Sequence, residues 1–384
     1  MQRNVVIKKI LKSTIFKPLT GINKLIPKKD TYVLLYTANM GISHNLKPLK
    51  EYLIANGYHK KYRIVCGVEG RKYYFEKEKH VKYVSKLGAL FTFLRSKHVF
   101  YTTGQIPIKP SKSQIVIHMN HGTSDLKACG ALSNINNGDE FFFTYMLAPS
   151  KLYVPIFAKE YICPESSIKI CGEPMTDELF AEHEPISFGN YKKVILWLPT
   201  FRQSSYLNYS DSSEGLLPMF SDNDYRELNQ KLKELDFLLL VKLHSAQNTE
   251  ALEHTHYSNI DIMDHDAFIR HGGNLYALMA QADVLLGDYS SASLQFLLTG
   301  KPLAFIVPDM DEYKKRRGFC FDRPEDYMPG PLIKKKEELY AFLSRISEGT
   351  DSYADERKRV RDAVFKYQDG NNTKRVIKLS NMYI

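Results

Sequence analysis

Four polar stretches each follow a short apolar run, and each carries residue types suited to handling a proton or an anion. After Ile115 to His118 comes "HMNHGTSD", in which His121 is followed by Gly122 and Thr123. Imidazole titrates near neutrality and is the commonest general base, and the small residue beside it lets the backbone approach a ligand. After Val194 to Leu198 comes "LPTFRQSS", where Pro199 ends the strand and Arg202 projects from the loop. A guanidinium fork suits phosphate because its planar donors bind two oxygens at once. After Phe237 to Val241 comes "KLHSAQN"; Lys242 and His244 are two residues apart and point to one side while the chain stays extended. After Val284 to Leu286 come Gly287, Asp288, Tyr289, Ser290 and Ser291, where a strand hands over to a helix. The open N–H groups and partial positive charge of a helix start suit a phosphate, and the serine hydroxyls add donors.

Each stretch also has a plain structural explanation. These are a loop histidine bonded to a carbonyl, a solvent-facing arginine, a polar finish to a strand, and an ordinary Asp or Ser cap. Capping accounts for one Asp or Ser better than for Gly-Asp-x-Ser-Ser, so the last stretch favours a phosphate site.

These residues need strands to present them, and the apolar pattern supplies two series. Tyr32 to Tyr36, Arg63 to Val65, Val81 to Val84, Val99 to Tyr101 and Ile115 to His118 form the first. Val194 to Leu198, Phe237 to Leu243, Asn259 to Met263, Val284 to Leu286 and Leu303 to Val307 form the second. Helical spacing falls between them, from a Ser43 cap to about Ala55 and at Leu87 to Leu94, Asp222 to Glu234, Leu275 to Gln281, Ala292 to Leu298 and Lys335 to Ile346. Such β–α alternation argues for parallel sheets covered on both faces. The polar stretch Ile186 to Lys193 divides the chain, giving lobes of residues 29–187 and 188–384 with a site in the crevice between them. Ligands of open parallel sheets sit at the carboxyl ends of strands, where these polar stretches lie.

The chain has 384 residues, 43% of them hydrophobic and 25% charged, which is globular composition. Its formal charge of +10 points to an anionic partner such as nucleic acid, an acidic membrane surface or a phosphorylated substrate. No zinc-finger, RNP-like or helix-turn-helix signature is present and the basic residues are dispersed, which argues against nucleic acid. The five cysteines form no CxxC pair and have no histidine at ligand spacing, so they read as reduced thiols of a cytoplasmic protein without a zinc site. No apolar run reaches the roughly 20 residues of a membrane span. Residues 1–28 instead read as a basic amphipathic segment. Val6, Ile7, Ile10, Leu11 and Ile15 share one arc, opposite Lys8, Lys9 and Lys12, suiting an anionic bilayer surface or, equally, packing on the body of the protein.

Taken in order, "HGT" (His121 to Thr123), "PTFR" (Pro199 to Arg202), "KLH" (Lys242 to His244), "DYSS" (Asp288 to Ser291), "KP" (Lys301 and Pro302) and "PDMDEY" (Pro308 to Tyr313) with "RG" (Arg317 and Gly318) resemble the CDP-glycerol glycerophosphotransferase family. This family comprises the teichoic acid primases and polymerases and their capsule relatives. The resemblance implies a GT-B fold of two Rossmann-like lobes, the C-terminal one holding the nucleotide. It implies transfer of glycerol or ribitol phosphate from a CDP-activated donor to a hydroxyl of a lipid-linked glycan, on the inner face of the cell membrane. His121 and His244 would then be catalytic, His121 as general base toward the acceptor. Arg202, Lys242, His244, Ser290 and Ser291 would clamp the diphosphate, and Gly122, Thr123, Thr200, Asp288, Asp309 and Arg317 would complete the substrate-binding set. No cofactor is required and a divalent ion is optional. The family often has a small hydroxyl residue where Gly287 stands. A GT-B glycosyltransferase using an NDP-sugar is the alternative, and the choice of polyol and of primase or polymerase stays open, the compact chain favouring addition of one or a few units.

Overall fold

The computed structural model describes residues 16–70, 78–122, 124–134, 140–200, 203–204, 209–210, 214, 217–221, 224–243, 257–263, 265–270 and 273–384. They fall into two compact units. The first takes its residues from Met1–Thr123, Asp139–Glu178 and Asp369–Ile384, the second from Ser124–Gly138 and Leu179–Gln368. A single cut after residue 187 therefore does not describe the partition. The segment after Thr123 joins the second unit early, and the C-terminus returns to the first.

In the first unit seven strands form one parallel sheet. They are β1 (Lys29–Met40), β2 (Arg63–Glu69), β3 (Val81–Val84), β4 (Ser96–Tyr101), β5 (Ile115–His118), β6 (Tyr145–Ala148) and β7 (Ile168–Ile170), in the order β3-β2-β1-β4-β5-β6-β7. Successive strand residues point to opposite faces. Val33 and Leu35 accordingly enter one core cluster with Leu46, Leu49, Leu53, Phe100 and Ile117, while Leu34 and Tyr36 enter another with Ala89, Phe93, Tyr101 and Val116. Both faces are covered, as a parallel sheet requires.

The helix Leu46–Ala55 buries Leu46, Leu49 and Leu53 on one stripe. Its start differs from the expected Ser43 cap: Asn45 precedes it, makes no cap bond, and sends its side chain to other loops. The helix Asn372–Leu379 brings Val376 and Ile377 back to the first core, and its opening N–H groups of Asn372 and Thr373 donate to Asp177 at 2.8 and 2.7 Å.

Of the N-terminal segment, the proposed apolar arc from Val6 to Ile15 lies outside the described residues. The helix Lys17–Leu25 is docked. Phe16, Leu19 and Ile26 pack on the first unit's core, and the buried Asn23 donates to Gln114 at 2.7 Å.

The second unit repeats the plan with β8 (Lys193–Trp197), β11 (Phe237–Lys242), β12 (Ile260–Met263), β13 (Val284–Gly287), β14 (Leu303–Ile306) and β15 (Leu332–Ile333). A separate two-residue antiparallel pair, β9 (Gln203–Ser204) and β10 (Tyr209–Ser210), lies between β8 and β11 in sequence. The main sheet is parallel with order β12-β11-β8-β13-β14-β15, the doubly wound Rossmann arrangement. Its core is built on Ile195, Trp197, Leu239, Val241 and Leu286. In such a sheet the strand order reverses between β8 and β13, and their carboxyl ends mark the ligand crevice.

Candidate active site

The reversal point of the second unit is closed by one carboxylate. Asp288, 1% exposed, follows β13, and Thr200 follows β8. The Thr200 backbone N–H donates to Asp288 Oδ2 at 2.7 Å and its hydroxyl to Oδ1 at 2.6 Å. The Ser290 N–H donates to Oδ1 at 3.1 Å, and the Asp288 N–H donates to Ser293 Oγ at 3.0 Å. Asp288 therefore ties two strand ends and the next helix together, and its oxygens face protein donors.

Gly287 is explained by the same turn. A Cβ there would stand 2.2 Å from Ser293 Oγ and 3.0 Å from Ser293 Cβ, so a side chain would push the Ser293 hydroxyl off the Asp288 N–H or shift the start of the helix that follows the turn. Ser290 is the N-cap of the helix Ser291–Phe296, accepting from the Ala292 N–H at 3.4 Å. A 3-10 turn, Leu297–Thr299, and Gly300 at φ +72° then end it.

Tyr289 is fully buried. It donates to Asp309 Oδ1 at 2.9 Å and packs against Tyr313 and Phe319, with ring centroids 4.3 and 5.3 Å away. Asp309 thus anchors the Asp288–Ser291 turn to the helix Met310–Arg316. Arg317 closes that helix, and its carbonyl accepts the Asn134 N–H at 3.2 Å. Beside it, the Ala128 N–H donates to Gly318 O and the Cys320 N–H to Leu126 O, stitching residues 126–134 onto 317–320. The Arg317 charge also acts on Asp125, whose carboxyl burial pushes up while Lys127 and Arg317 oppose the rise.

Lys242 ends β11. Its Nζ donates to Leu243 O at 2.9 Å and stands 4.9 Å from the Phe268 ring centroid, and burial lowers its pKa. Ser291 opens the helix half-buried. Arg202, His244 and Thr123 lie outside the described residues.

His121 belongs to the first unit, three residues beyond β5, and is exposed. Asn120 before it adopts φ +55° and takes the His121 N–H on its Oδ1 at 2.7 Å. Asn120 also donates to Tyr161 Oη at 3.1 Å, and Gly122 follows at φ +155°. His121 is thus an exposed residue on a loop held at its start by Asn120. Two partners escaped sequence reasoning. His44, in the loop after β1, has its ring centroid 6.0 Å from that of His121, edge to face. The buried Asn45 next to it donates to the carbonyls of Met119 and Asn120 at 2.9 and 3.2 Å. The available signal was their place just beyond the central strand β1, which the capping interpretation of Ser43 obscured.

Chemically, the first unit offers an accessible imidazole at a sheet's carboxyl edge. The second offers a braced turn at the point where a Rossmann sheet takes a nucleotide. Among the described residues no helix is long and apolar enough to cross a membrane.

A family model described as CDP-Glycerol:Poly(glycerophosphate) glycerophosphotransferase matches residues 20–380. The chain is 24% identical to the teichoic acid glycerol-phosphate transferase of Staphylococcus aureus (strain NCTC 8325 / PS 47), with 96% of this chain and 97% of the relative covered. It is 24% identical to the teichoic acid ribitol-phosphate polymerase TarK of the same strain, covering 96% of this chain and 72% of the relative. The solved structure of the wall teichoic acid polymerase TagF superposes with a TM-score of 0.73 at 18% identity, over 99% of this chain and 97% of that one. That likeness, with the two Rossmann-type sheets, gives the GT-B fold.

Proposed function

The chain belongs to the CDP-glycerol:poly(glycerophosphate) glycerophosphotransferase family, and from that membership we propose a reaction with named parts. An acceptor hydroxyl gives its proton to His121 and attacks the β-phosphorus of a CDP-activated polyol. The new O–P bond forms as the bond to the bridging oxygen breaks, and CMP leaves with the electron pair. Phosphoryl transfer of this kind relies on positioning and electrostatic stabilisation rather than covalent chemistry by the protein. The leaving charge falls to Arg202, Lys242, His244 and the turn at Ser290 and Ser291. Thr200, Asp288, Asp309 and Arg317 keep that turn and its neighbouring helix in place. The observation that carries the reading is His121, exposed on a braced loop in the family's "HGT" position.

With arginine, lysine and backbone N–H groups to meet the phosphate charge, the reaction runs without a resident cofactor, a divalent ion being optional. Loss of turnover in EDTA would contradict this. The acceptor is a lipid-linked glycan at an anionic membrane surface. Supporting this, Ile22 (46% exposed) and Leu25 (83%) stand out from the helix that carries Lys17 and Lys24. Leu87 and Phe91 stand out from the helix Lys86–Arg95. Apolar side chains among lysines suit an anionic bilayer. Leu25→Ser with Phe91→Ser should lower co-sedimentation with anionic vesicles; unchanged sedimentation would sink the membrane assignment.

The donor is tested by CMP release from CDP-glycerol and CDP-ribitol, each with and without membrane extract. Acceptor-dependent CMP from one of them supports the reaction and names the polyol. UDP or GDP release from a nucleotide sugar, with none from the CDP donors, would overturn it in favour of a glycosyltransferase.

A further inference from the structure

We infer that His44 is a further residue of the active site, a positioning residue that holds the His121 ring edge to face. The inference rests on the general-base reading of His121 above. Three features converge on it, all within the first unit. The two imidazole rings meet with centroids 6.0 Å apart at an interplanar angle of 69°, the edge-to-face geometry that aromatic rings prefer. Both loops carry a non-glycine residue in the left-handed region, His44 at φ +49° and Asn120 at φ +55°. Such conformations persist where surrounding structure enforces them, and they gather at functional sites. The enforcing contact is Asn45. It is fully buried, it donates to Met119 O and Asn120 O, and its Oδ1 accepts the Met175 N–H at 3.0 Å. An amide that would ordinarily cap the helix Leu46–Ala55 instead fixes the His44 loop against the two residues that precede His121.

β1 and β5 are not neighbours; β4 lies between them in the sheet. The two loops therefore reach toward each other past the end of β4, joined by the Asn45 bonds and by the pair of imidazoles. An exposed histidine on its own samples several rotamers, and a reacting nitrogen must be held near one geometry. The His44 ring restricts the His121 ring from one side.

The test is a set of variants measured for acceptor-dependent CMP release and for CDP-glycerol binding. His44→Ala, which deletes the ring, should lower kcat about two- to tenfold, with the donor Kd and Tm unchanged. His44→Phe, which keeps an aromatic edge or face but no nitrogen, should recover most of that loss. In a His121→Ala background His44→Ala should have no further effect, because the residue acts through His121. A His44→Ala enzyme at wild-type kcat would overturn the inference. So would His44→Phe falling as far as His44→Ala, since the nitrogen rather than the ring contact would then matter. An independent readout is the His121 imidazole resonance, which should move in His44→Ala even if His121 proves not to be the base. A fully active His121→Ala would overturn the general-base reading, whereas an unmoved resonance would overturn the positioning contact.

Discussion

Replacing Asp288 by asparagine should be far from conservative. The two carboxylate oxygens accept backbone N–H groups from different strands' ends, Thr200 on Oδ2 and Ser290 on Oδ1, at 2.7 and 3.1 Å. An amide presents one oxygen and one NH2, so in either orientation a donor faces a backbone donor. The Thr200 hydroxyl, 2.6 Å from Oδ1, can rotate and adapt. One buried N–H is left unpaired, which costs about 1–3 kcal/mol, and the bonds that survive lose their charge assistance, so about 2–5 kcal/mol in all. For a unit of this size each kcal/mol lowers Tm by about 2–4 °C, giving a fall of roughly 4–20 °C. Thr200→Val keeps the backbone bond and loses only the hydroxyl, so its cost should be smaller, about 1–2 kcal/mol. Calorimetry of the two variants and of the wild type measures the stability. Steady-state kinetics should show a raised KM for the CDP donor in Asp288→Asn as the turn loosens. An Asp288→Asn protein with wild-type Tm and donor KM would refute the clamp, as would Thr200→Val proving the more damaging change.

Two further outcomes follow from the same geometry. Tyr289→Phe leaves the ring stack on Tyr313 and Phe319 intact but deprives the buried Asp309 of its phenol donor, so it should cost about 1–3 kcal/mol and raise the donor KM more than it lowers kcat; chemical denaturation and initial-rate kinetics check both. Burial lowers the pKa of His98 to about 4 and of His118 to about 3. Both lie below the unfolded value of about 6.5. Between those values the unfolded chain binds protons that the folded one does not, so stability is full above pH 6.5 and is lost as pH falls, by up to about 1.4 kcal/mol per unit for each histidine. His118→Phe, which retains stacking with Tyr101 and Phe141, should flatten that acid slope, and urea midpoints from pH 7.5 to 4.5 would show it.

Most strands of the two sheets were legible because each is a short apolar run between polar or helical stretches. Val81–Val84 and Ile115–His118 stand where the sequence places them, and Val284–Gly287 is one residue longer. Strands β6 and β7 were not legible. "YMLA" is made largely of good helix formers, and "IKI" is three residues long, so only their pairing with β5 defines them. The return of the helix Asn372–Leu379 to the first unit depends on contacts nearly 200 residues apart, such as Asn372 with Asp177, which no local pattern encodes. At the site, Asp288 and Ser290 read correctly as the residues of a strand-to-helix turn. Their bonding did not, because whether a carboxylate faces a ligand or a Thr200 N–H depends on which strand lies next to it. His44 escaped notice for the same reason: two loops separated by 76 residues in sequence become neighbours only when β1, β4 and β5 pair.

The most direct test of the general-base role of His121 is acceptor-dependent CMP release by His121→Ala, measured beside its affinity for the CDP-polyol donor. Turnover should be lost while donor binding stays at the wild-type level, because His121 lies in the first unit and the turn proposed to hold the donor lies in the second. Wild-type turnover in His121→Ala would contradict that role.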